Sequence, residues 1–188
     1  MADNIARWHA EHGNFVKLLD FLDAQLELFH AGEVPDYGLM LDVMYYMTHY
    51  PDLFHHPKED LTYARIKERD PGIGRVVDEV MKQHVVLRES GEELVGRLDS
   101  IVDGAAIMAR ENVEVSGRTY VDYFRSHMQK EETELFPAAR SVLRDEDWRA
   151  IDAAMRDQDD PLFGSSVAKR YEALHRQIAR ETGCGCGA

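Results

Sequence analysis

Four short stretches of this 188-residue chain place a histidine at the centre of an apolar helical stripe: His12 in WHAEHGNF, His55 in FHHPKED, His84 in MKQHVVL and His127 in RSHMQKEETELFP. Two of them have a glutamate one turn further on, giving the pairs His55/Glu59 and His127/Glu131. A lone histidine on an apolar face is most often a satisfied core residue. Four imidazoles and two carboxylates in one core are a different matter, because burying them is expensive unless a cation pairs them. Metal binding is therefore the chemistry these residues point to. Imidazole nitrogen together with carboxylate oxygen suits iron, manganese or zinc.

FHHPKED contains two candidate pairs at the same spacing. His55 and Glu59 share a helical face with Thr62, Tyr63 and Ile66, whereas His56 and Asp60 share theirs with Leu53, Ala64 and Lys67. The first face has more to bury, so the periodicity sends His55 and Glu59 inward and leaves His56 and Asp60 as the outer pair. Pro57 lies between histidine and glutamate. If it rotates the turn, His56 takes the place of His55.

The elements that must position these residues are helical throughout, and no alternating strand pattern is visible. Helix 1 is expected from Asn4 to Ala31, ending at Gly32 and Pro35. The second begins near Asp36, is interrupted at Pro51 and Pro57, and continues to about Glu68. After an Asp70-Pro71-Gly72 turn, the third runs from about Ile73 to Val102. A polar loop over Glu111 to Gly117 is expected before the fourth, Arg118 to Leu143, followed by short segments at Glu146 to Arg156 and Ser166 to Glu181. Long amphipathic helices with short connections predict an all-α, up-down-up-down four-helix bundle over residues 1–143. Residues 144–188 then form a C-terminal helical extension and a flexible glycine- and cysteine-containing tail.

The motifs resemble those of the hemerythrin-like family, the HHE cation-binding domains: a histidine on helix 1, His-x-x-x-Glu on helix 2, a histidine on helix 3 and His-x-x-x-Glu on helix 4. The resemblance spans roughly residues 4 to 143. It implies a non-haem di-iron centre, oxo- or hydroxo-bridged, with His12, His55, Glu59, His84, His127 and Glu131 as ligands and the two glutamates as bridges. A position open to dioxygen, peroxide or nitric oxide is implied with it. Manganese or zinc would suit the same donors. The sequence departs from the oxygen carriers of the family, which have a His-x-x-x-His pair on helix 3. The residues four before and four after His84 are Val80 and Arg88. One metal is then poorer in ligands or is completed by water or another side chain. That shifts the expectation from reversible oxygen carriage toward redox chemistry, sensing or iron handling.

Composition narrows the alternatives. Lys and Arg total 22 against 35 Asp and Glu, a net charge of −13 that repels phosphate backbones, so nucleic acid is not an expected partner. No apolar run has membrane-spanning length, and MADNIARWHAEH lacks a signal-peptide core, so a soluble cytoplasmic protein is expected. The two cysteines, Cys184 and Cys186, are both in the tail, which fits a reducing compartment.

Several further residues have a functional and a plain reading. Tyr123, one turn before His127, could hydrogen-bond a metal ligand but fits an aromatic core position. Arg88 could offer charge to an anion but more simply snorkels outward. Glu132 and Glu134 read as a solvated acidic face. Glu172 and His175 form a single Glu-x-x-His where ferritin-like centres need two. His30, His49 and His175 read as surface or satisfied residues. No nucleophile motif or phosphate-binding loop is present.

Overall fold

The computed structural model describes residues 4–104 and 110–181, and among them it is all helical, with no strand. Helix α1 is Asn4–His30 and α2 is Tyr37–Met47, the latter capped by the Asp36 carboxylate, which accepts the Leu39 N–H. A π-turn over Pro51–His55 leads into α3, His56–Arg69. A 3₁₀ turn, Pro71–Ile73, then opens α4, Gly74–Val102. Helix α5 is Arg110–Lys130, followed by a second π-turn, Glu131–Leu135, and α6, Phe136–Val142. Helix α7 is Asp145–Ala154, and a 3₁₀ turn at Lys169–Tyr171 precedes α8, Glu172–Glu181. No helix is long and apolar enough to cross a membrane. Cys184 and Cys186 lie outside the described residues.

Two expectations about the elements are corrected. Residues 111–117 are helical, within α5, and not a loop. Val113 is fully buried in the core, and Gly117 lies so close to α1 that an added Cβ would sit 2.8 Å from Leu26 Cδ2. Val113 and Gly117 thus dock a segment whose other apolar residue, Val115, is exposed. The last helix starts at Glu172 and not near Ser166. Before it, the Asp160 carboxylate accepts the N–H groups of Leu162 and Phe163, and Asp159 accepts that of Ser165, which ties the chain into turns.

The two π-turns share a cause. Each is capped by a residue that stands immediately before a proline, His56-Pro57 and Phe136-Pro137. A proline ring collides with the carbonyl four residues earlier in an α-helix. Here the preceding turn widens, so that the His56 N–H bonds Pro51 O and the Phe136 N–H bonds Glu131 O, five residues back in each case.

Apolar residues form two clusters. The larger joins Phe15 to Phe29 of α1 with residues of α2, α4 and α5, and includes Leu162, Tyr171, Leu174 and Ile178 from the C-terminal segments. The smaller contains Ile5, Trp8, Tyr63, Ile66, Val77, Val80, Leu135, Phe136 and Ala139. His12, His55 and His84 fall between the two in the numbering of their segments, and Glu131 does so after His127, so the polar layer separates one core from the other.

Candidate metal centre

All six residues singled out from the sequence are buried: His12, His55, Glu59, His84, His127 and Glu131 are each 5% exposed or less. The structure brings them together. His55 Nε2 is 3.2 Å from Glu59 Oε1, His84 Nε2 is 3.2 Å from Glu131 Oε1, and His127 Nε2 is 3.3 Å from Glu131 Oε2. His12 Nε2 is 3.5 Å from Glu131 Oε2 and 3.8 Å from Glu59 Oε1.

A seventh residue joins them. The sequence pattern sends His56 outward, but the structure buries it to 3% exposure, with its ring stacked on His84 at 4.3 Å between centroids. The π-turn explains the difference. An α-helix separates consecutive side chains by about 100°, whereas an i→i+5 turn takes more residues per revolution and separates them by less. His55 and His56 both point inward as a result, and the same widening buries both Leu135 and Phe136. Three groupings bring candidate ligand atoms within 4.8 Å of one another: His12, His55 and Glu59; His56, His84 and His127; and Glu59, His84 and Glu131.

Each of the five imidazoles is held from behind through Nδ1. His12 bonds Glu132 at 2.9 Å, His55 bonds Glu11 at 2.6 Å, His56 bonds Asp52 at 3.0 Å, His84 bonds Asp60 at 2.8 Å and His127 bonds Gln83 at 3.2 Å. An ionised carboxylate or an amide oxygen only accepts, so Nδ1–H is the donor in each case and Nε2 is turned to the interior. Four of these bonds stitch one helix to the next. Glu11, beside His12, serves His55. Asp60, beside Glu59, serves His84. Gln83, beside His84, serves His127, and Glu132, beside Glu131, returns to His12. The ring from α1 to the first π-turn, through α3 to α4, on to α5 and from the second π-turn back to α1 is thus closed by side chains adjacent to the inward ones. Asp60 and Glu132 are corrected accordingly from outer, solvated residues to partners of the centre. Tyr63 adds a further support, its hydroxyl donating to Glu131 Oε1 at 2.9 Å. Tyr63, not Tyr123, is the tyrosine at the site.

The interior of the layer calls for a cation. Glu59 Oε1 and Oε2, Glu131 Oε2 and His127 Nε2 are buried without a hydrogen-bond partner. Orphaned buried oxygens of this kind are costly. His12 Nε2 and His55 Nε2 lie 3.2 Å apart, and with both Nδ1 atoms donating outward their lone pairs repel unless a proton or cation lies between them. Charges follow the same geometry. Burial opposes protonation of His55, yet Glu59 and Glu11 outweigh it and raise its pKa to about 10. His84 is raised to about 10 against the same burial by Asp60 and Glu131. Burial depresses His127 to about 3, with Glu131 opposing and His84 adding to the effect. Burial and the neighbouring Glu131 raise Glu59, whereas the surrounding histidines hold Glu131 well below its usual range despite burial. Without a metal, protons must take its place among these groups. Donor set, tautomers and orphaned atoms all fit metal coordination.

A helical protein whose core is divided by five buried imidazoles and two buried carboxylates belongs to the metal-holding class of helical folds. Residues 3–139 match the family described as the hemerythrin HHE cation binding domain, and the chain belongs to that family. No curated protein and no solved structure matches it.

Proposed function

We propose that the protein holds a non-haem di-iron centre and binds or reacts with a small ligand such as dioxygen, peroxide or nitric oxide. The observation that carries this reading is the convergence of five Nε2 atoms on two carboxylates with orphaned oxygens, every Nδ1 being tied outward. Seven donors exceed the four of a structural zinc site, which favours two metals over one closed ion. On this reading His12 and His55 would hold one metal and His56, His84 and His127 the other, with Glu59 and Glu131 the carboxylates available to them. His56 supplies the third imidazole that the helix 3 sequence lacks. When bound, iron supplies Lewis acidity and one-electron chemistry. The protein's part is to fix each imidazole's tautomer and angle through its outer partner, to hold Glu131 through the Tyr63 hydroxyl, and to keep water out with the two apolar clusters.

The proposed scaffold is an up-down-up-down four-helix bundle. Supporting it, pairings run in opposite senses along neighbouring helices: His12 meets Glu132 while Leu26 meets Gly117, and His84 meets His127 while Gly91 meets Tyr120. We further propose that residues 1–143 hold the metals and that residues 144–188 brace them. Asp152 and Asp157 bind the buried Lys58, next to Glu59, and Asp157 also pairs with Arg7, which contacts Glu11.

Metal analysis with an absorption spectrum, on protein purified without added metal, tests the reading. Two irons per chain and near-ultraviolet and visible absorption are expected, whereas a colourless protein holding zinc or a single metal would overturn it. Rapid gas evolution on adding hydrogen peroxide identifies an enzyme. Tight ligand binding without turnover identifies a sensor or carrier.

A further inference from the structure

Beside the layer is a cavity of about 430 Å³ between α1 and α5, lined by His9, His12, Gly13, Val16, Arg125, Met128, Gln129 and Glu132. Of these, His12 and Glu132 form the boundary with the metal centre. The opening on the opposite side, bounded by Asp52, His56, Pro57, Asp60, His84 and Arg88, offers about 40 Å³. A diatomic or peroxide has room on the first side and little on the second.

Gly13 is the informative wall residue. It sits in the interior of α1 with no positive φ, so no backbone conformation demands glycine. Nor does packing demand it, since a Cβ placed there meets nothing within 4 Å, unlike at Gly91 and Gly117, where a Cβ would come within 2.8 Å of a neighbour. Glycine in such a position costs about 1 kcal/mol of helix stability relative to alanine. What it does is leave space in the wall of the cavity that His12 also lines.

The charges of the wall are already paired. Arg125 is held by Asp20 at 2.6 Å, and Glu132 at the floor accepts from His9 at 3.3 Å and from His12 at 2.9 Å. No free cation greets an anion, and the floor is a carboxylate. Val16, 39% exposed, and Met128 supply apolar surface beside these pairs. The geometry points to this cavity as the entry chamber through which a small neutral ligand reaches the centre, kept open by Gly13 and floored by Glu132. The inference rests on the di-iron reading and adds to it the route and the class of ligand, uncharged molecules over anions.

Stopped-flow binding of nitric oxide to the iron-loaded, reduced protein tests it, with azide as the anionic comparison. Gly13→Leu fills the mouth with a good helix former in open space. It should lower the nitric oxide association rate at least tenfold and the dissociation rate by a similar factor, with iron content and the equilibrium constant unchanged. Val16→Trp, on the same wall, should act in the same direction. Gly96→Leu is the control, because Gly96 is a helical glycine of α4 that also has nothing within 4 Å of a Cβ and does not line the cavity. Unchanged rates in both cavity variants would overturn the entry route, as would azide entering faster than nitric oxide. A wild-type protein without iron or without a nitric oxide signal would instead overturn the metal reading beneath it.

Discussion

On the side of the centre nearest α1, the imidazoles are His12 and His55, and His12 borders the cavity of about 430 Å³. On the side nearest α4 they are His56, His84 and His127, and His56 and His84 border a space of about 40 Å³. Both sides share the buried carboxylates and the same outward Nδ1 hydrogen bonds. They differ in how many nitrogens converge and in how much room adjoins them. The donor-poor side faces the open cavity and the donor-rich side is closed. On the proposed di-iron reading, such a centre would saturate one metal with protein and keep the other for an incoming ligand, so reactivity would be placed by subtraction of a ligand and not by addition of a catalytic group.

The comparison can be broken at its shared element first. Glu131 contacts His12, His84 and His127, so Glu131→Ala should remove both metals, with affinity falling more than about 100-fold while circular dichroism still reports a helical protein. His56→Ala should make the two sides alike. A metal titration would then show one site weakened by up to about 100-fold and the other near its wild-type affinity. Outer partners come next. Glu11→Gln keeps an acceptor for His55 but removes its charge, and a loss of about tenfold in metal affinity is expected, within the 10–100-fold range for such supports. The smallest change needs no mutation. In the metal-free protein, carboxylates raise His55 and His84 to about 10 against burial, so both carry protons at neutral pH and a metal must displace them. Their ion pairs stabilise the metal-free fold fully below the unfolded pKa near 6.5 and are lost as pH rises through about 10. Metal affinity has the opposite sign, falling about tenfold for each displaced proton when pH drops by one unit, and calorimetry in buffers of different ionisation enthalpy would count those protons.

Much of this was legible in the sequence, and the exceptions share a physical origin. His12, His84 and His127 lie on helices whose 3.6-residue period is unbroken up to them, so their apolar stripes point to the interior without ambiguity. A uniform period carried through Pro51–His55 sends His56 outward, but the backbone there is a π-turn. The clue was local: the doubled histidine stands immediately before a proline, as Phe136 does before Pro137. The outer ring was hidden for another reason. Glu11, Asp60, Gln83 and Glu132 each serve a histidine on a different helix, and pairings of that kind depend on how helices are set against one another. Their common signature, a polar residue directly beside an inward one, is visible only once the inward residues are known. The helical turns at 111–117 were lost to polarity, since Val113 alone anchors them in the core.

On the proposed reading two metals are divided unequally between the histidines. A crystal of iron-loaded protein, with data collected on both sides of the iron absorption edge, reads that directly. Two anomalous peaks per chain are predicted, one among His12, His55 and the glutamates, the other among His56, His84, His127 and the same glutamates. A single peak, or a second peak with His56 turned away from it, would contradict the account.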